Sequence, residues 1–456
     1  MATAPPSASG SLLLGATLEL QRDQLGAYAR AMEAHGDIAR FRVGPPGIGF
    51  EFDAVFAPDG ARQVLAADSS HYVKDAPVIG EFRHFLGDGL LVSEGDRWLQ
   101  HRRIAQPLFT RKAVSAHLGT VAAAAADLVS WCEGDAAAQR PIDVHALGMR
   151  YALHALGTTV FGDDIVHAAP VLRRVLPPLG NHLKRRSLSP VRSPHWLPLP
   201  ANRRAEQIRR TVWGLADSLI AERRRTGGGG SDLLSRLLAA RDVESGAALD
   251  DDSLRDEAII FLIAGHETTG SALAFTLWLL GRHQDVQDAV RVEVAGLGAG
   301  ADGPVEIEQV PYTHQVIAES MRLYPPAHTV VRRASADTEL LGYPVRRGRI
   351  MAVNIWGIHH RPSIWDDPFR FDPGRFAAGG AGGRSRRSTK YTHLPFGGGP
   401  RACIGEHLAM AELAGAVVAL VRRYRITALE PEPGVEVDLS LRPRGELPCR
   451  FDLVGP

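Results

Sequence analysis

The chain has 456 residues, of which 45% are hydrophobic and 23% charged, as in an ordinary globular protein. These proportions exclude a largely disordered or collagen-like chain. The 52 basic and 51 acidic residues leave a formal net charge of +1, so no global field attracts nucleic acid or an anionic membrane. The cysteines are too few and too scattered for a disulfide framework, which predicts a reducing, cytoplasmic location: Cys132, Cys403 and Cys449.

Helical periodicity dominates the chain, and strand-like alternation is sparse. The first residues, to about residue 18, lack the basic region and long apolar run of a signal peptide or anchor, and we expect a flexible segment. Helices are predicted at 18–35, 61–67, 96–109, 202–225, 250–282 and 314–323. Strands are predicted at 39–43, 50–56, 343–353 and in the last twenty or so residues. This balance predicts a mainly α fold with small β-sheets, in a single domain spanning residues 1–456.

The apolar segment 257–281 is long enough to cross a membrane, but His266, Glu267 and two threonines lie at its centre. Ionisable groups are costly there in lipid, so a buried helix is predicted. A continuous helix over 250–282 would be roughly 50 Å long and would cross the whole molecule. Glycine-rich runs predict loops at 227–230, 296–303 and 377–390. The second has dinucleotide-like spacing but follows a helical pattern, so we discard a Rossmann site.

The strongest local signal is FGGGPRACIG, residues 396–405, a glycine-rich loop that carries Cys403 and then opens a helix. A thiol at a helix N-terminus, two residues after Arg401, is in a setting that favours the thiolate. A phosphate loop would need a Lys-Ser/Thr pair, which is missing. A zinc site would have only His393 and His407 nearby, and a cysteine hydrolase has no local signature here. A buried structural cysteine would not explain the loop.

This loop resembles the haem-binding loop of the cytochrome P450 family. The residues at the pattern positions are Phe396, Gly399, Arg401, Cys403 and Gly405. The resemblance implies that Cys403 is the thiolate ligand of the iron in haem b, iron protoporphyrin IX, and that Phe396 and Arg401 contact the cofactor. A thiolate is a strong donor that favours O–O cleavage. The family fold is implied as well, with the long central helix over the haem.

A second element, AGHETT at residues 264–269, interrupts the apolar face of the central helix. Ala264 and Thr268 share a face, and a threonine hydroxyl there can bond the carbonyl four residues back. Taken alone, the pattern favours a helix kink without chemistry. Beside the cysteine loop it resembles the family's oxygen-binding groove. That implies proton delivery to dioxygen by Glu267 and Thr268, and room for the haem beside Ala264.

Glu319 and Arg322 lie three residues apart, a spacing that alone is common in weak surface pairs. With FDPGRF at residues 371–376 they resemble the family's buried Glu-Arg-Arg triad. The implied members are Glu319, Arg322 and Arg375, and the implied role is structural support of the haem pocket.

The segment WLQHR, from Trp98 to Arg102, resembles the family helix that meets the haem propionates. Arg332 and Arg401 match further propionate-binding positions. The planar fork of arginine suits carboxylates because it donates in pairs. A solvated basic surface is the alternative for Arg102 and Arg332.

The resemblance covers essentially the whole chain and implies insertion of one oxygen atom from O2 into a substrate C–H or C=C bond. The loop between residues 77 and 91, the central helix and residues 327–331 are expected to line an apolar pocket: Phe82, Phe85, Phe261, Ala264, Ala327, Val330 and Val331. Residues 189–210 resemble the lid of terpene- and fatty-acid-oxidising relatives. A terpenoid or lipid-like substrate is therefore favoured, and a polyketide or other natural-product intermediate is the alternative.

No reductase domain follows the cysteine loop, so electrons are expected from a separate ferredoxin with its reductase, or from a flavodoxin. Basic residues are predicted to gather on the cysteine side and attract an acidic partner: Arg97, Arg103, Arg111, Lys112 and the run 384–390. We expect a monomer with no membrane anchor that binds no nucleic acid. Two alternative functions remain, a haem-thiolate isomerase or peroxygenase and a non-catalytic haem-binding sensor.

Overall fold

Helices make up most of the computed structural model, which describes residues 4–162, 169–187, 189, 192–226, 232–298, 303–377, 391–438 and 440–455. It is 58% helical, which confirms the predicted mainly α fold. The α-helices are α1 (Thr17–Arg22), α2 (Gln24–His35), α3 (Pro58–Arg62), α4 (Pro77–Leu86), α5 (Gly95–Ala105), α6 (Arg111–Ser115), α7 (Leu118–Ala137), α8 (Val144–Phe161), α9 (Ala169–Ser187), α10 (Pro200–Arg225), α11 (Leu233–Ala239), α12 (Asp251–Arg282), α13 (Gln284–Ala295), α14 (Pro311–Leu323), α15 (Ile355–His359) and α16 (Glu406–Arg423). The loop predicted at 227–230, residues 378–390 of the one at 377–390, and the centre of the one at 296–303 lie outside the described residues.

The strands form small sheets, as predicted. They are β1 (Ile38–Val43), β2 (Phe50–Val55), β3 (Tyr72–Val73), β4 (Ile142–Asp143), β5 (Thr329–Ala334), β6 (Thr338–Leu340), β7 (Tyr343–Val345), β8 (Ile350–Asn354), β9 (Tyr424–Ala428), β10 (Val435–Val437), β11 (Leu441–Pro443) and β12 (Pro448–Leu453). The largest sheet has the order β1-β2-β8-β5-β3, in which β2 and β8 are parallel. Smaller sheets have the orders β4-β12-β9, β10-β11 and β6-β7.

The N-terminal segment differs from the flexible one that we expected. From residue 4 onward it lies along β1, because the Ala8 N–H donates to the Arg40 carbonyl and the Ala16 N–H to the Arg42 carbonyl, both at 2.8 Å. Ala16 and Thr17 are buried. Backbone pairing with an edge strand therefore orders this segment, which a search for apolar periodicity does not detect.

The central helix α12 spans 32 residues and begins where the Asp250 carboxylate accepts from the Ser253 N–H. It is long and apolar enough to cross a membrane, yet 78% of its most apolar window is buried inside the protein, as the buried-helix prediction requires. Its closest neighbour is α8. A Cβ on Gly148 of α8 would lie 2.5 Å from the Gly270 carbonyl oxygen of α12, so the helices cross at a contact that only glycine permits.

Candidate active site

The loop that carries Cys403 is held by close backbone contacts. The Cys403 N–H donates to the Phe396 carbonyl at 2.8 Å. Gly399 has a φ of +71°, and a Cβ on it would lie 1.8 Å from the Leu65 carbonyl oxygen in the π-helical turn Gln63–Ala67. Glycine is therefore required here, both by conformation and by space. The loop ends at Gly405, the N-cap of α16.

Cys403 faces a cavity of about 330 Å³, which we call the thiol cavity. This volume is within the range of small-molecule sites, roughly 300–1,000 Å³. Ala264, Gly265 and Thr268 of α12 line the same cavity, and so does Phe396. The thiol is exposed to this interior space rather than to the outer surface. The cysteine loop and the AGHETT segment, 135 residues apart between Thr268 and Cys403, are thus brought to one site.

We predicted that Arg401 and the helix N-terminus would lower the pKa of the Cys403 thiol. This is wrong as far as the groups of the protein itself are concerned. Burial raises the pKa of the Cys403 thiol, and the N–H of Gly405 only partly offsets this rise in pKa. Arg401 turns away, donating to the Ser93 carbonyl at 2.8 Å and pairing with Glu94 at 2.9 Å. A coordinated metal ion would deprotonate the thiol outright, so the loop suits a metal-bound cysteine better than a free nucleophile.

On α12, the Thr268 hydroxyl donates to the Ala264 carbonyl at 2.5 Å, the bond expected from their spacing. The helix continues through this segment without a break. Glu267 does not lie on the wall of the thiol cavity, because its carboxylate accepts from the Ser440 hydroxyl at 2.9 Å. Burial raises the pKa of Glu267. The structure therefore brings Thr268, but not the Glu267 carboxylate, to the cavity.

All four residues predicted to meet the propionates line the thiol cavity: Trp98, Arg102, Arg332 and Arg401. The Arg401 guanidinium stacks 3.9 Å from the centre of the Trp98 ring, and Arg102 donates to the Ala402 carbonyl at 3.0 Å. Arg332 is buried rather than part of a solvated surface. Its desolvation, together with the charge of Arg401, lowers the pKa of Arg332 to about 10.

Lys74 is a further cation on this wall, and sequence reasoning missed it. Its Nζ donates to the Leu91 carbonyl at 2.9 Å. Burial, and then the charges of Arg332 and Arg401, hold the pKa of Lys74 well below its usual range. A lone lysine after the two-residue strand β3 has no periodic or motif signal, so only the three-dimensional structure identifies it.

Three arginines therefore line the thiol cavity, Arg102, Arg332 and Arg401, and the lowered pKa values of Arg332 and Lys74 indicate that positive charge is crowded there. The carboxylate that acts on Lys74, Arg332 and Arg401 is that of Glu94. Such a crowding of cations fits a ligand with anionic groups. Haem meets all these conditions, since its iron accepts a thiolate, its ring suits apolar walls and its two propionates suit the basic side chains. Within the described ranges, no cluster of three or more His, Cys, Asp or Glu could hold a metal ion, which disfavours a zinc site.

The three predicted triad residues lie together. Arg322 donates to both carboxylate oxygens of Glu319, at 2.7 and 2.8 Å, and the Arg375 Nε lies 3.4 Å from the same carboxylate. Arg322 and Glu319 are both fully buried. Arg322 also donates to main-chain carbonyls of three residues in the segment before Arg375: His359, Pro368 and Arg370.

The predicted substrate-contacting residues divide into three groups. Phe261, Ala264, Ala327 and Val330 line the thiol cavity. Phe82 and Val331 line an adjoining cavity, described below. Phe85 lines neither cavity, contrary to the prediction. Residues 77–86 form the helix α4 rather than the expected loop, and Phe85 is buried against the ring edge of His182.

The basic residues predicted to attract a redox partner are mostly paired within the chain. Arg103 donates to Asp242 at 2.6 Å, Arg111 pairs with Glu308 at 2.6 Å, and Arg97 pairs with Asp88 at 3.4 Å. The run 384–390 lies outside the described residues. Three of the predicted cations therefore offer less net positive charge than the sequence suggested.

Glu412 of α16 also lines the thiol cavity and gives a testable pH dependence. It is 1% exposed, its Oε1 has no hydrogen-bond partner among the described residues, and burial raises its pKa to about 8. Between pH 4.5 and about 8 the unfolded chain loses this proton while the folded chain keeps it, so stability falls as the pH rises.

We therefore expect Glu412→Gln, which removes the titration but keeps the shape, to be less sensitive to alkali. Relative to the native protein, the free energy of unfolding of the variant should increase by about 3 kcal/mol between pH 5.5 and 8.5. Urea denaturation at the two pH values measures this. Parallel pH profiles for the two proteins would show that Glu412 does not titrate in this way.

The fold and the cysteine-centred cavity define a haem-thiolate protein, and comparison with known proteins specifies the family. The family model "Cytochrome P450" matches residues 5–445. The chain belongs to the cytochrome P450 family. It is a P450 monooxygenase with a haem-thiolate cofactor that uses O2 and a redox partner and acts on a small substrate.

Several curated relatives are similar along most of their length. "Cyclooctat-9-en-7-ol 5-monooxygenase" of Streptomyces melanosporofaciens is 36% identical, over 94% of this chain and 90% of the relative. "Cyclooctatin synthase" of the same organism is 31% identical, over 96% and 92%. Human "Cytochrome P450 4F12" is 30% identical, over 87% and 79%. The crystal structure of the cytochrome P450DA heme domain matches with a TM-score of 0.87 at 25% identity, over 100% of this chain and 98% of that chain.

Proposed function

We propose that this protein hydroxylates or otherwise oxygenates an apolar terpenoid or lipid-like molecule in the thiol cavity, with Cys403 as the proximal ligand of haem b. The observation that carries this proposal is that Cys403 and Thr268 line one largely apolar cavity that Arg102, Arg332 and Arg401 also line. A polyketide or other natural-product intermediate is the second candidate substrate class.

When bound, the haem would supply reductive activation of O2. The chain's own residues would hold and orient it: Cys403 at the iron, Phe396 and Ala264 against the ring, and Trp98, Arg102, Arg332 and Arg401 at the propionates, joined by Lys74. Glu319, Arg322 and Arg375 would support the cysteine-side loops from behind.

Thr268 is the proposed proton-transferring hydroxyl, because it lies on the cavity wall and can give up its bond to the Ala264 carbonyl. Glu267 is the proposed proton source. Burial raises the pKa of its carboxyl, so a larger fraction stays protonated near neutrality. The Glu267 carboxyl is bonded to Ser440. To supply a proton to Thr268, its side chain must rotate away from Ser440, or a water molecule must relay the proton.

The substrate assignment is supported by the apolar residues around both cavities and by two relatives, cyclooctat-9-en-7-ol 5-monooxygenase and cyclooctatin synthase. We further propose a single domain over residues 1–456 that acts as a cytoplasmic monomer. Its electrons would come from a separate ferredoxin with its reductase, or from a flavodoxin. The alternatives are a haem-thiolate isomerase or peroxygenase and a haem-binding sensor.

Consumption of NAD(P)H and O2 with a surrogate redox chain distinguishes these functions. The candidate substrate panel should contain terpenoids, fatty acids and polyketides, chosen by their ability to shift the haem from low to high spin. A monooxygenase consumes both reagents and forms an oxygenated product. An isomerase forms product without O2 consumption, a peroxygenase forms oxygenated product only when hydrogen peroxide is added in place of O2 and NAD(P)H, and a sensor forms no product.

Thr268→Ala should divert electrons from product to hydrogen peroxide, because the variant lacks the hydroxyl that passes protons on the cavity wall. We expect product per NAD(P)H consumed to fall by at least about tenfold, a smaller factor than the ~10²–10⁴-fold contribution that general acid–base catalysis typically makes. The matched control is Thr276→Ala. Thr276 makes the same bond to the carbonyl four residues back but is buried against Ser320, away from the cavity. Equal coupling in the two variants would refute the proton-transfer role.

A further inference from the structure

A second cavity of about 360 Å³ adjoins the thiol cavity, and we call it the entrance cavity. The two share five wall residues: Lys74, Leu91, Ala327, Val330 and Arg332. Residues of α2, α4, α9, β2, β5, β8 and β10 form most of the rest of its wall, together with loop residues that include Arg192 and His328. An elongated molecule could therefore extend from one cavity into the other. Much of the wall is apolar, including Phe82 and Val331, so its few polar groups decide what can bind.

His328 provides an unsatisfied donor on this wall. Its side chain is 8% exposed, and its Nδ1 has no hydrogen-bond partner among the described residues. Its Nε2 lies 3.5 Å from the Gln24 side-chain amide nitrogen, and in the tautomer that carries the ring proton on Nδ1 the unpartnered atom is a donor. Burial lowers the pKa of His328 to about 4, which keeps this one-proton form at neutral pH. Leaving a buried N–H without an acceptor is costly, so a bound acceptor is favoured.

Arg192 provides a cation on the same wall. Its Nε donates to the Arg186 carbonyl at 2.9 Å and one Nη to the Ser187 carbonyl at 3.4 Å, so the guanidinium is held in place by the main chain. Within the described ranges no carboxylate is paired with it. The nearby carboxylate of Glu81 is already held by Arg186 at 2.5 and 3.0 Å.

Lys184 of α9 adds a second cation, and its partner Asp438 is shared. Asp438 lies 3.0 Å from the Lys184 ammonium and also accepts from Arg442. The Asp438 carboxylate thus faces two cations, whereas Arg192 has no carboxylate partner within the described ranges. The polar part of the entrance cavity therefore combines a net positive charge with donor groups at Arg192, Lys184 and His328. A carboxylate matches such a set because it is a pure acceptor with the opposite charge, whereas a hydroxyl would also bring a donor.

We propose that the entrance cavity binds the carboxylate of an elongated apolar substrate, with Arg192 as its ion-pair partner and the His328 N–H as a hydrogen-bond donor. The apolar end of the molecule then occupies the thiol cavity. The substrate class is a terpenoid or fatty acid that keeps a free carboxyl group at the end remote from the oxidised carbon. Only the statement about which end is oxidised rests on the proposed function.

The test is calorimetric titration of the full-length haem-containing protein, which reads binding whether or not the ligand is turned over. The probes are dodecanoic acid and a C20 diterpenoid acid, each beside its methyl ester. We expect each acid that fits to bind about tenfold more tightly than its ester, the size of one hydrogen bond to a charged group. Arg192→Gln and His328→Leu should each remove most of this preference. Arg185→Gln, at an exposed arginine of α9 that lines neither cavity, should retain it.

Two results would overturn the proposal. One is that neither acid binds to the native protein more tightly than its methyl ester, even if the esters themselves bind. The other is a preference for acids that survives both Arg192→Gln and His328→Leu. The two arms also distinguish a fatty acid from a terpenoid acid as the ligand. Tight binding of an acid that yields no oxygenated product would count against the proposed function and leave the carboxylate site standing.

Discussion

Cys403→Ser is expected to abolish the red-shifted Soret band of the ferrous carbon monoxide complex, together with monooxygenase activity. Serine is nearly isosteric, so the loop contacts of Phe396 and Gly399 should persist. A serine hydroxyl, however, cannot replace the strong thiolate donor that gives this class its spectrum and its O–O cleavage. Absorption of the reduced, carbon monoxide-treated protein measures the change directly.

The matched controls are Cys132→Ala and Cys449→Ala. Both cysteines are buried away from the thiol cavity, and burial raises the pKa of each thiol to about 12. Both variants should keep the band. If Cys403→Ser kept it as well, the ligand assignment and the reaction built on it would be wrong.

Glu319→Gln is expected to destabilise the protein by about 3–5 kcal/mol, because it strands a buried charge. Arg322 is fully buried, and its guanidinium makes five donor contacts, two to Glu319 and three to main-chain carbonyls. These carbonyls anchor the segment that brings Arg375 to the same carboxylate. Removing the carboxylate charge leaves Arg322 and Arg375 to repel each other without the counterion that they share.

Denaturant unfolding measures the loss, and the haem content of the purified protein is a second readout. The control is Glu308→Gln, at an exposed carboxylate that pairs with Arg111, for which we expect a change of less than about 1 kcal/mol. A similar small change at Glu319 would mean that the triad does not support the pocket as proposed.

The motifs were readable because the chemistry of the site demands particular residues at fixed spacing. Cys403, Thr268, Arg102 and Glu319 all occur in short patterns, and the structure brings the first three to one cavity and pairs Glu319 with Arg322. The fold class followed from the excess of helical periodicity. The buried nature of α12 followed from polar groups at the centre of an apolar segment.

Other features depended on long-range contacts that a local pattern does not carry. The helices α7 and α8 were not predicted. The first is rich in alanine and the second is buried on several faces, and each property hides the helical period of apolar residues. The prediction also lacked α9, which contains Pro177 and Pro178, residues that normally end a helix. The single helix predicted at 18–35 divides at Asp23, whose carboxylate caps α2.

The electrostatic errors have a common cause. Sequence proximity placed Arg401 beside Cys403, but the side chain extends to Glu94 instead, and burial decides the pKa of the thiol. Similarly, Glu267 follows the motif yet bonds Ser440, 173 residues away. Charge in a folded protein depends on neighbours and solvent, and neither is visible along the chain.

The glycine crossing of α8 and α12 affects how this enzyme could be re-engineered. A Cβ on Gly148 would lie 2.5 Å from the Gly270 carbonyl oxygen, and one on Gly270 would lie 2.7 Å from the Met149 sulfur. Larger residues at either position would therefore force α8 and α12 apart, and both glycines should be left unchanged. The elements α4, α9 and β10 line the entrance cavity but not the thiol cavity, so mutant libraries aimed at new substrates can vary them without touching the glycine crossing.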